Sequence, residues 1–205
     1  MWPNISFERD VSSASRLRAS QPDITRMRYL AIILVAIFCV AASAADEEYF
    51  DAHTIRASNI PSDAPQFEEY SVVEKYGGSV ATPDVKSHPR SREFRTMIRN
   101  GAKDGPNFAG HYTIVFWGCG AGCISLALAD AITGKVFHPK DLQVIDTTNV
   151  DFDGFDDELV KFKLDSKLLV VFGAINEESA RRGISYFVWE NAALHRIRFV
   201  HKPYE

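Results

Sequence analysis

The stretch N-F-A-G-H-Y-T-I-V-F-W-G-C-G-A-G-C-I-S-L-A-L-A, Asn107 to Ala129, decides the fold class. Phe108–Trp117 and Cys123–Ala129 each read with a period of two, the repeat of a strand whose side chains alternate between faces. Between them Gly118, Gly120 and Gly122 alternate with Cys119 and Ala121, a composition suited to a sharp turn. The same period continues downstream in Lys135–Phe137, Leu142–Asp146, Leu159–Leu164, Leu168–Gly173, Ile184–Glu190 and Leu194–His201. Thr133-Gly134, Asp165-Ser166-Lys167 and Glu190-Asn191 supply turn residues between these runs. Lys161 and Lys163 alternate with Val160, Phe162 and Leu164, which predicts one wet face for that strand.

Upstream, Ser87–Lys103 carries the single helical pattern. Phe94, Met97 and Ile98 fall at i, i+3 and i+4, while Arg90, Arg92, Arg95 and Arg99 lie mostly off that stripe and read as a solvated face. Ser87 is placed to cap the helix, Pro89 suits its first turn, and Asn100-Gly101 with Gly105-Pro106 ends it. The expected fold is therefore α+β and β-rich: an antiparallel meander of about six strands with one N-terminal helix packed on it. Residues 45–86 are irregular, with Tyr70–Val73 as a possible short strand, and 87–205 form a single α+β domain. Strand followed by glycines also suggests a dinucleotide turn, but the spacing is G-x-G-x-G rather than G-x-G-x-x-G, and no cofactor is expected.

The N-terminal region reads as an export signal. Met27-Arg28 precedes an apolar run from Tyr29 to Ala42, followed by Ala42-Ser43-Ala44 and an acidic start at Asp46. A basic flank, an apolar core and an A-x-A site define a secretory signal peptide, here 27–44, with the processed chain beginning at Ala45. The run is shorter than the ~20 residues a spanning helix needs, so no stable membrane anchor is expected after cleavage. Residues 1–26 are read as a non-structural extension or a mis-called start. Cys39 leaves with the signal, and Ile37-Phe38 before it do not form a lipobox. The remaining chain holds 18 basic and 24 acidic residues, a net charge of −6. That balance argues against nucleic acid and anionic lipid, and favours a basic envelope or secreted protein as partner.

Cys119 and Cys123 are the two cysteines that survive processing, and in an oxidising compartment spare thiols pair. Gly120-Ala121-Gly122 is a loop supple enough to join them as a structural disulfide; free redox thiols and metal ligands are the alternatives. His111 with Cys119 and Cys123 could make a three-ligand metal site or a Cys–His nucleophilic pair, against the plainer reading of a half-buried histidine. Asn107 suits an Asx-type turn or a ligand-binding amide, and His111 and Trp117 are the other candidate binding residues. Tyr112 and Trp117 should fall on opposite strand faces. In the acidic run Asp151–Glu158, Asp151, Asp153 and Asp156 could hold Ca²⁺, although the EF-hand order is not met and a solvated loop is the alternative. No G-x-S-x-G, H-E-x-x-H or paired-carboxylate spacing occurs.

The order N-F-A-G-H-Y, W-G-C-G-x-x-C, D-A-x-T-G-K-V and L-D-S-K-L-L-V-V-F-G resembles a group of uncharacterised exported bacterial proteins over roughly Ser87 to Val200. The resemblance implies a Gram-negative periplasmic or secreted setting. It brings no catalytic residue, but Asn107, His111, Trp117, Cys119 and Cys123 all lie in its blocks. The function expected is an exported binding or inhibitory module, such as one that blocks a cell-wall hydrolase or toxin. The alternative is a metal- or thiol-dependent enzyme centred on His111, Cys119 and Cys123.

Overall fold

The computed structural model describes residues 28–36, 52–155 and 158–202. Cys39, the Ala42–Ala44 cleavage motif, Ala45 and Asp156 lie outside the described residues. Residues 28–36, within the apolar N-terminal run, are helical (α1). Among the described residues no helix is long and apolar enough to cross a membrane. A second compact unit spans Glu47–Glu205 and is α+β and strand-rich.

Among the described residues its eight strands are β1 (Tyr112–Gly120), β2 (Cys123–Asp130), β3 (Val136–Phe137), β4 (Val144–Asp146), β5 (Val160–Phe162), β6 (Leu168–Ile175), β7 (Arg182–Glu190) and β8 (Ala193–His201). All ladders are antiparallel. The continuous path is β1-β2-β4-β6-β7-β8, with β3 beside β2 and β5 beside β6. Each period-two run of the sequence corresponds to one strand. Six lie on the continuous path, and two short ones fill the flanks of the three-residue strand β4.

Side-chain alternation turns this sheet into three layers. Ile114, Leu126 and Leu128 from β1–β2 share one cluster with Leu169, Val171, Phe187 and Trp189 from β6–β7. Those two halves meet directly, Tyr112 against Trp189 (5.3 Å between ring centroids) and Phe116 against Phe162 (5.9 Å), so the sheet bends back on itself about β4. The opposite face of β1–β2 presents Val115, Trp117 and Ala127 to Val85, Ile98 and Phe94. The opposite face of β6–β7 presents Val170, Phe172, Ile184 and Tyr186 to Ile55, Ala64, Val150 and Phe155. Both faces of β6 and β7 are therefore covered, which is why their sequence is almost unbroken in apolar residues.

The helix departs from expectation. It breaks into α2 (Pro89–Glu93) and α3 (Arg95–Ala102), with Phe94 at φ −97° and ψ 23° between them. At this break Phe94 stacks on Trp117 at 4.8 Å, while its N–H still donates to Arg90 O (3.0 Å) and its carbonyl accepts the Ile98 N–H (3.0 Å). The cap is His88, whose Nδ1 accepts the Arg90 N–H (3.2 Å); Ser87 donates its hydroxyl to the Asp84 carbonyl instead. Of the expected stripe Ile98 is buried and Met97 is half exposed at 51%. Gly101 sits where α3 crosses β1, and a Cβ there would strike the Val115 side chain. Tyr70–Val73 is no strand: Phe67–Tyr70 is a 3-10 turn, and pairing is limited to a single bridge from Ser71 to Ser166.

Candidate functional site

The N-F-A-G-H-Y block folds as a tight hairpin closed by reciprocal hydrogen bonds between Phe108 and Tyr112, both 2.9 Å. Its loop is Ala109-Gly110-His111, with Ala109 and Gly110 at φ 46° and 84°. Gly110 is required twice over: its φ is left-handed, and a Cβ would collide with the Glu74 carbonyl. The loop is fastened from outside. Ala109 N–H donates to Ser166 O (3.1 Å), Gly110 N–H to Leu164 O (2.6 Å), and Gly110 O accepts Tyr76 N–H (2.8 Å).

This rigid loop displays His111 over a cavity of about 530 Å³. Tyr112 and Trp189 supply an aromatic side, their rings edge-on at 5.3 Å, and the His111 ring lies 4.1 Å from Tyr112. Glu74, Lys167, Glu190 and Asn191 supply polar groups of both signs. Lys167 Nζ lies 3.7 Å from Glu190 Oε1, and the Trp189 N–H donates to Lys167 O (3.0 Å). Asn191 and Ala192, at φ 52° and 60°, turn β7 into β8 beside the cavity. Its size is within the ~300–1,000 Å³ of small-molecule pockets. In the sequence Glu190-Asn191 reads only as a turn, and nothing there singles out Glu74, Lys167 or Trp189, because these come from separate segments.

Asn107 points elsewhere. Its Oδ1 accepts the Ile114 N–H (2.8 Å) and its Nδ2 donates to the Ile114 carbonyl (3.3 Å), so the carboxamide occupies the place of a neighbouring strand's peptide group. Trp117 is 6% exposed in the layer under α3, and its Nε1 is buried without an acceptor. Tyr112 and Trp117 do fall on opposite faces, and both are packed.

Cys119 and Cys123 form a disulfide with Cα atoms 5.3 Å apart, pinning the exposed β1–β2 turn. They lie at the far end of β1 from His111. Eight residues at about 3.3 Å each place His111 roughly 26 Å from Cys119, so a metal site or Cys–His pair built from these three residues is ruled out by strand geometry. Among the described residues no group of three or more His, Cys, Asp or Glu could hold a metal ion. Asp151 instead closes its own turn, with Oδ1 accepting the Gly154 N–H (3.3 Å) and Oδ2 lying 3.8 Å from Arg56; Asp153 opens the following 3-10 turn.

A second polar cluster is invisible in the sequence. Ser91 Oγ lies 2.8 Å from His138 Nε2, and His138 stacks on His88 at 4.7 Å. Burial, with the nearby His88 and Arg90, pushes the His138 pKa down to about 4. The pair has the spacing of a nucleophile and its base, but Ser91 is wholly buried and His138 Nδ1 is buried with no partner to orient the ring. With Arg90 donating to Gln143 Oε1 (2.6 Å), the cluster anchors α2 to the β3–β4 connection.

Comparison with protein-family models, with curated proteins and with solved structures returned no match for this chain.

Proposed function

We propose that the chain is an exported binding module whose contact surface is the cleft under His111, and that its partner is a basic envelope or secreted protein. The observation that carries the reading is the cleft itself: a rigidly fastened loop holds His111 over Tyr112 and Trp189 in a cavity of about 530 Å³. Glu74 and Glu190 face one lysine there, Lys167, an acidic excess that matches the net charge of −6 expected after processing. The signal-like 27–44 segment, the resemblance to exported bacterial proteins and the Cys119–Cys123 disulfide support an extracytoplasmic setting.

The test has two parts. Non-reduced intact mass of the exported form should match a chain beginning at Ala45 with one disulfide. That form is then used to capture proteins from an envelope extract at low and moderate salt, beside a Glu74→Lys, Glu190→Lys double variant. A basic protein retained by the native chain and lost by the variant supports the reading. No retained protein, or equal retention by both forms, overturns it.

A further inference from the structure

The backbone groups of β1 can be accounted for one by one. Asp130 N–H donates to Lys135 O, so the even-numbered residues of β2 face β3 and its odd-numbered residues face β1. By the antiparallel register Thr113, Val115 and Trp117 bond β2 through Ala129, Ala127 and Ser125. The peptide groups of Tyr112, Ile114, Phe116 and Gly118 therefore point away from the sheet. Tyr112 is closed by Phe108 and Ile114 by the Asn107 carboxamide. Phe116 and Gly118 come next, and β1 ends the strand order with no further strand beside them among the described residues.

This open stretch has little of the usual protection of an edge beyond the bulge between Gly118 and Gly120 that ends it. The opposite edge strand, β8, carries Arg196 and Arg198 and is bulged against β7. The open part of β1, Phe116-Trp117-Gly118, has no charge and no proline, and a Cβ at Gly118 would meet nothing within 4 Å. Beside it lies a cleft of about 410 Å³ lined by Phe116, Ile124, Phe152, Leu159, Val160 and Phe162. Among the described residues the one charged group in its wall is Glu158, the end of the acidic run that begins at Asp151. Lys161 lies on the other face of β5, over the Phe155 ring at 5.8 Å.

We infer that this edge accepts an extended segment of a partner protein by strand addition, pairing with the peptide groups of Phe116 and Gly118. One apolar side chain of the segment fills the adjoining cleft, and a flanking lysine or arginine side chain meets Glu158. Main-chain hydrogen bonds supply affinity, and the cleft and its charge supply selectivity. The disulfide keeps the β1–β2 turn in shape, so the edge is ordered before the segment arrives. This surface lies in the second half of β1, shares no lining residue with the His111 cleft and stands independently of it.

The experiment uses the purified full chain and labelled peptides of about six residues, long enough for an average strand. One peptide alternates lysine with valine and a central phenylalanine, a second replaces lysine with glutamate, and a third is the lysine peptide N-methylated on its pairing edge. Fluorescence anisotropy should show saturable binding of the lysine peptide, weakened about tenfold or more by the glutamate exchange and by N-methylation. Gly118→Pro should weaken the lysine peptide similarly while Arg92→Ala, on the exposed face of α2, does not, because the Gly118 N–H is not in the β1–β2 ladder and its loss closes only the edge. The N-methylated peptide makes the test independent of how Gly118→Pro folds. Absence of lysine-peptide binding, equal binding of the N-methylated form, or equal binding of the glutamate form overturns the inference. So does concentration-dependent dimerisation in sedimentation that Gly118→Pro abolishes, which would give the edge to a second copy of this chain.

Discussion

Asn107 occupies the position of a missing strand, one side chain satisfying both peptide groups of Ile114. Removing it leaves a partly buried N–H and C=O without partners, where the desolvation cost of one such group is about 1–3 kcal/mol. Asn107→Ala should lower the urea midpoint with an unchanged m-value, by about 1–3 kcal/mol in stability. Asn107→Asp keeps the acceptor for the Ile114 N–H but loses the donor, and should fall between Ala and native. An unchanged midpoint for Asn107→Ala would show that water replaces the amide at no cost. From its neighbours in sequence the residue reads as a turn or ligand amide, whereas its real partner lies seven positions on. Reading that role requires knowing that β1 is an edge, which is a property of the sheet. His111 is the reverse case. Alternation alone merges its loop with the strand, yet the residue does face a cavity, since the left-handed Ala109 and Gly110 turn the chain just before β1 begins.

At the scale of elements, the β1–β2 turn combines three glycines with one disulfide, and its residues 118–122 are all exposed. A cross-link closing so short a loop removes little entropy from the unfolded chain, less than the ~3 kcal/mol that loop-closure entropy assigns to fifteen residues. Mild reduction should therefore leave the sheet folded, lowering stability by less than about 3 kcal/mol. In hydrogen exchange it should deprotect the β1–β2 turn while β6 and β7 stay protected; loss of near-ultraviolet circular dichroism on reduction would contradict this. Short apolar and β-branched runs between turn residues mark the strands, eight where about six were expected; β6 and β7, covered on both faces, read as continuous apolar runs rather than by alternation. The helical stripe reads as one piece because nothing local marks the break at Phe94, whose ring packs on Trp117, a residue of β1.

At the scale of the molecule, the segment between Ile55 and Tyr76 is held to the sheet by buried apolar side chains and by a rim of ion pairs. Those pairs are Asp63–Arg198 (2.7 Å), Glu68–Lys163 (2.9 Å) and Asp165–Lys75 (3.3 Å). The side-chain hydrogen bond from each basic partner lowers the pKa of Asp63, Glu68 and Asp165 below the usual carboxylate values. Their contribution is present above the ordinary values of 3.8 and 4.5 and is lost as pH falls through the lowered ones. His138 acts earlier. With a folded pKa of about 4 against an ordinary 6.5, the unfolded chain binds more protons between those values, so stability falls as pH drops from 6.5 towards 4. Urea unfolding of native protein and His138→Gln across pH 7.5 to 3 should show two stages: a decline from about pH 6.5 to 4 that the variant lacks, and a steeper one below it that both share. Equal decline of both forms over the upper range would remove His138 from the account.

What the sequence by itself determined is strand-level: the α+β class, the antiparallel runs, the turn chemistry and the pairing of Cys119 with Cys123, all set by neighbours within a few residues. What only the tertiary structure decided is which of those elements meet. The bend about β4 brings Tyr112 to Trp189, gathers Glu74, Lys167 and Glu190 around His111, and leaves β1 at an edge with Phe116 and Gly118 open. The separation of His111 from Cys119, in contrast, follows from the extended geometry of β1 alone. A period-two pattern shows which face a side chain takes, but it carries no information on which distant face it will oppose.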